Sequence, residues 1–157
     1  MIELFSRKPV ALTLSKDAEL TPIPSEGDVM SLSAILLEEG YYEALLDARF
    51  AIDGVTVIDE TLLIPFKARA FLDLTARKEQ GEKIDSKNIK KHRSDVFRLA
   101  QLLPGDAKIG MPDSIKDDMR LFLKLAEADE TLNPKSFDVP LTRDEGVALL
   151  RSAYKLV

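Results

Sequence analysis

At 157 residues the chain is long enough to bury the core of one domain, and its hydrophobic share of 45% against 31% charged excludes a disordered composition. A net charge of −5, from 22 basic and 27 acidic residues, argues against a general polyanion-binding surface. The absence of cysteine excludes a disulfide framework, a thiolate zinc site and thiol catalysis, and the single histidine excludes a histidine-rich metal site.

In chain order, Ile2-Glu3-Leu4-Phe5 reads as an apolar strand. Extended pieces at Val10 to Leu14 and Glu19 to Ile23 follow, broken by Pro9, Pro22 and Pro24. Glu38 to Phe50 reads as a helix with Tyr41, Tyr42, Leu45 and Leu46 on one face. Asp53-Gly54 reads as a turn and Val55 to Ile58 as a strand. A long helix is expected from an N-cap at Asp59 to about Gln80, with Pro65 early in it and Gly81 as its stop. A second runs from Ser86, as N-cap, through Leu103 to Pro104-Gly105. A third covers roughly Asp113 to Ala128. The last spans about Thr142 to Tyr154, with a capping box of Thr142 and Glu145. The expected fold class is α+β: a few short strands forming a small mixed sheet over residues 1–58, then a helical bundle over 59–157, the two packing as one unit. No apolar stretch reaches the roughly 18 residues that cross a bilayer, and the cytoplasm is the expected location.

Helical projection, at about 100° per residue, singles out charges that interrupt apolar arcs. On the first long helix Lys67 falls among Leu63, Phe66, Ala70, Phe71 and Leu74. On the second, His92 projects into an arc of Ile89, Val96, Leu99, Leu102 and Leu103, Asp95 lies between Leu99 and Leu102, and Lys91 borders the arc. Antiparallel packing of these helices would bring Lys67 near Asp95. That pairing reads two ways: as an ion pair fixing helix register, or as a cleft where Lys67 meets a phosphate and Asp95 orients it. The stretch from Lys83 to Arg98 also concentrates Lys83, Lys87, Lys90, Lys91, Arg93 and Arg98 on an acidic chain, which reads as a solvated helix face or as a local basic patch.

The stretch Leu63-Ile-Pro-Phe-Lys67-Ala-Arg-Ala-Phe-Leu-Asp-Leu, with Gly81-Glu-Lys-Ile-Asp-Ser-Lys-Asn-Ile-Lys-Lys-His92-Arg-Ser-Asp95-Val-Phe-Arg-Leu99, resembles the AbiEii-type nucleotidyltransferase-like family. The resemblance covers about residues 31–125. Lys67 matches the lysine of the family's first helix, Lys91 the lysine of its second and Asp95 that helix's last acid; His92 stands where the family has an acid. The resemblance implies a nucleotidyltransferase fold, and metal-assisted transfer of a nucleotidyl group from a nucleoside triphosphate to a hydroxyl acceptor. It further implies Mg²⁺ held by carboxylates. Glu3 would be the third of these. The first two, from a Gly-Ser loop and an Asp-any-Asp strand, have no match in this sequence, so an upstream piece of the family domain is expected to be absent, whether encoded separately, lost or trimmed, and this chain alone is expected to be inactive as a transferase. By the same analogy the chain would be the toxin half of a bacterial toxin–antitoxin or phage-defence pair. Its implied partners are an NTP, an antitoxin or the missing N-terminal segment, and an RNA acceptor. The rival reading is a non-catalytic protein-binding module or a self-associating helical domain, in which front strands pair with a partner chain.

Overall fold

The structure, a computed structural model, describes residues 4–7 and 34–156, with side chains described from residue 38 onward. The elements run β1 (Leu4–Arg7), β2 (Ala34–Leu37), α1 (Glu39–Ala48), β3 (Phe50–Ile52), β4 (Val55–Val57), α2 (Glu60–Glu79), α3 (Ser86–Ala100), α4 (Asp113–Ala128), a short 3-10 turn at Pro134–Phe137, and α5 (Arg143–Ala153). The class is α+β, with strands first and a helical bundle after. Among the described residues, however, the strands form two separate two-stranded sheets and no single mixed sheet. β1 and β2 are parallel, with Leu4 opposite Ala34 and Arg7 opposite Leu37, whereas β3 and β4 form an antiparallel hairpin. β2 was not anticipated from sequence, and the extended pieces expected at Val10 to Leu14 and Glu19 to Ile23 lie outside the described residues.

Helix boundaries follow local chemistry. The Asp59 carboxylate caps α2 by accepting from the Thr61 N–H at 3.0 Å. At its other end Gly81, with φ of 94°, lets the Glu82 N–H reach the Arg77 carbonyl and the Gly81 N–H reach that of Lys78, a Schellman closure. The capping box of Thr142 and Glu145 forms as expected on α5. Three boundaries differ from expectation, one of them the end of α3, which stops at Ala100 and not at Leu103. Asp85 caps α3, accepting from the Lys87 N–H at 2.8 Å, which frees the Ser86 hydroxyl to accept from Lys78. Helix α1 stops at Ala48, and Phe50 enters a strand because the Asp53-Gly54 turn, with φ of 51° and 79°, folds Phe50–Ile52 back onto Val55–Val57.

The core lies between α2, α3, α4 and α5. Phe71 and Phe97 both meet Phe122, with ring centroids 5.4 and 6.3 Å apart. A fully buried Phe97 also fills the space where a Cβ on Gly146 would stand, so that glycine admits close approach of α5 to α3. No helix of the described residues is long and apolar enough to cross a membrane.

Candidate functional site

Helix α2 buries Leu62, Ile64, Pro65, Ala68 and Phe71, an arc turned away from the expected one around Leu63, Ala70 and Leu74. Both α3 and α4 pack against α2, and Ile64 and Ala68 are fully buried on that arc. Lys67 consequently sits at the rim of the buried face, next to Phe71 and Leu74 on the helical projection, and is half-buried. It makes no hydrogen bond or ion pair among the described residues.

Helix α3 is rotated in a similar way. Its buried residues are Val96, Phe97 and Ala100, and the expected arc omitted the last two. His92 lies at the rim, half-buried, with Nδ1 shielded from solvent. Asp95 is half-buried and accepts from Arg98 Nη1 at 3.3 Å one turn along its own helix. Of the two readings, the Lys67–Asp95 ion pair is not formed: the anion is held locally by Arg98. Lys91 is exposed, as are Lys83, Lys87 and Lys90, and none of these four makes an ion pair among the described residues. Glu3, the expected residual metal ligand, lies outside the described residues. Among the described residues no group of three or more metal-ligating side chains converges.

The charge that does point into the core side of α3 is Arg93. Its side chain is only 14% exposed, Nη1 donates to Asp129 Oδ2 just beyond the end of α4, and Nε is shielded from solvent with no hydrogen-bond partner. Hydrogen bonds from the Thr131 hydroxyl and N–H, together with Arg93, hold the Asp129 carboxyl below its usual range. Arg143 of α5 donates to the Asp129 carbonyl at 3.3 Å, so one residue ties three helices together. Beside it a shallow polar hollow of about 330 Å³ is lined by Glu130, Leu132, Thr142, Arg143 and Asp144.

A second polar cluster joins α1, α2 and α4. The Tyr41 hydroxyl donates to Asp118 Oδ2 at 2.8 Å, and Arg69 Nη1 reaches both Asp118 oxygens at 3.0 and 3.1 Å. Glu38 lies 3.5 Å from Arg69 Nη2. Burial, then the adjacent Asp118 charge, pushes the Tyr41 hydroxyl pKa well above its ordinary value. Sequence reasoning placed Tyr41 on an apolar helix face but did not single out its polar partners: Arg69 projects away from the apolar arc and Asp118 reads as an ordinary helical acid. Their partners are far away in the chain.

No protein-family model, no curated protein and no solved structure matches the chain.

Proposed function

We propose that the α2–α3 hairpin is the phosphate-binding side of a nucleotidyltransferase-like protein, taking a nucleoside triphosphate with Mg²⁺. The carrying observation is Lys67: a half-buried lysine at the rim of the core, with no anionic partner among the described residues. A lysine side chain lying along apolar surface leaves its ammonium able to meet an anion, and a phosphate oxygen supplies one. The exposed, unpaired Lys87, Lys90 and Lys91 on α3 extend positive charge along an acidic chain. The motif resemblance at Lys67, Lys91 and Asp95 supports the same assignment. Asp95, engaged by Arg98, would leave Lys67 free. His92, at the rim and one residue from Lys91, would face the same ligand. Glu3 would contribute one carboxylate to the metal. Transfer to a hydroxyl acceptor such as RNA then requires further carboxylates from another segment or partner, as in the toxin and phage-defence setting the resemblance implies.

Thermal unfolding of the full chain with millimolar ATP, GTP or CTP and Mg²⁺ tests the reading. The expected result is a rise in Tm for at least one nucleotide. Lys67→Met should abolish that rise while leaving the ligand-free Tm within about 2 °C, because no partner is orphaned. No rise with any nucleotide rejects the proposal, and so does a rise that survives Lys67→Met. The exposed apolar hairpin β3–β4 favours a second reading, that of a non-catalytic binding module.

A further inference from the structure

Three large apolar side chains of the hairpin face solvent: Phe50 is 45%, Ile52 54% and Val55 61% exposed. The register sets Phe50 opposite Val57 and Ile52 opposite Val55, so these four share one face while Ala51 and Thr56 share the other. Among the described residues neither β3 nor β4 has a second strand neighbour. An isolated two-stranded ribbon with an apolar face is marginal by itself, and an unpaired edge is a template for another chain.

The two edges differ in a way that identifies the occupant. In a hairpin closed by a two-residue turn, the pair flanking the turn, Ile52 and Val55, exchanges both main-chain bonds. The next pair, Ala51 and Thr56, therefore turns its N–H and C=O outward, one residue on each edge. A second copy related by a two-fold axis at Ala51 meets those outward groups with its own Ala51. That register places Phe50 opposite Ile52 of the other copy, as the closer kind of antiparallel pair, with Cα atoms about 4.5 Å apart. It also sets Arg49 level with Asp53 of the other copy. Both are exposed, and neither makes an ion pair within its own chain among the described residues. The alternative axis, at Thr56 on the β4 edge, sets Asp53 level with Asp59 of the second copy, and like charges there oppose pairing.

We infer that the β3 edge is a self-association surface: two copies of this chain join antiparallel about Ala51, forming one sheet in the order β4–β3–β3–β4 with a continuous apolar face and reciprocal Arg49–Asp53 pairs. This dimer is independent of nucleotide binding at α2–α3.

Sedimentation equilibrium of the full chain, compared with edge variants, decides the matter. Ala51→Pro removes the outward N–H while sparing the bonds to β4, and Thr56→Pro does the same on the other edge. The wild type is expected to dimerise reversibly, Ala51→Pro to weaken the dimer by about tenfold or more, and Thr56→Pro to leave it within about twofold. Arg49→Asp, at an exposed position, should also favour monomer, with added salt partly relieving the effect. Circular dichroism checks that each variant is folded. A wild type that stays monomeric at several hundred micromolar overturns the inference, as does a dimer that Thr56→Pro breaks and Ala51→Pro and Arg49→Asp do not.

Discussion

The hydroxyl of Tyr154, near the end of the chain, donates to the carbonyl oxygen of Thr61 in the first turns of α2 at 2.8 Å. The acceptor is the carbonyl that residue 65 would bond in a regular helix, and residue 65 is proline. A part-buried carbonyl that Pro65 cannot bond is thus satisfied from α5's C-terminal end, and a proline that would otherwise weaken α2 becomes a joint between α2 and α5.

This relationship predicts a coupled mutational cycle. Tyr154→Phe should cost about 1–3 kcal/mol, because Thr61 loses its donor inside the core. In a Pro65→Ala background the helix N–H is restored, and the same Tyr154→Phe change should cost about half as much or less. Chemical denaturation of the four proteins measures both. Equal costs in the two backgrounds would show that the hydroxyl does nothing for that carbonyl.

Alkaline titration should unfold the protein through its buried tyrosines. Burial, then the Asp59 and Glu60 charges, raises the Tyr154 pKa; burial and then Asp118 raise that of Tyr41. The unfolded chain releases these protons near pH 10 and the folded chain does not. The unfolded state therefore binds fewer protons, and stability, complete below pH 10, falls as pH climbs above it. Each tyrosine contributes at most about 1.4 kcal/mol per pH unit. With no tryptophan present, absorbance at 295 nm reports ionisation directly. Ionisation of Tyr41 and Tyr154 should coincide with loss of helical circular dichroism; their ionisation in a still-folded chain would contradict the burial argument.

Arg93 and Lys67 should respond oppositely to removal of charge. The Arg93–Asp129 pair is 14% and 28% exposed, between the surface and the buried regimes. Arg93→Met should accordingly destabilise by about 1–2 kcal/mol. Lys67→Met leaves no anion behind and should be neutral or slightly stabilising. Urea midpoints of both variants test the contrast, and a larger loss at Lys67 than at Arg93 would reverse the structural assignment.

Elements governed by chain-local rules were legible in the sequence. The caps at Asp59 and Thr142, the stop at Gly81, the Asp53-Gly54 turn and the span of α4 all depend on side chains within a few residues of the backbone groups they satisfy. The failure on α3 has a different origin. His92 and Arg93 are adjacent, and periodicity places either near an apolar arc whose centre shifts once Phe97 and Ala100 are counted in it. The sequence gives no way to choose the centre, because that depends on which helices pack against α3.

The same division runs through the candidate site. Lys67, Lys91 and Asp95 were found because their charges interrupt a helical pattern within one segment. That Asp95 turns to Arg98 and Lys67 to no partner among the described residues, while Arg93 reaches Asp129 across the bundle, was settled by the rotation of α2 and α3 about their axes. By itself the sequence determined both ends of α2 and the start of α5, since capping hydrogen bonds close over a single turn. Only the tertiary structure decided which charges meet. Coulomb attraction and desolvation act through space, and the residues they join stand as far apart in the chain as Arg69 and Asp118.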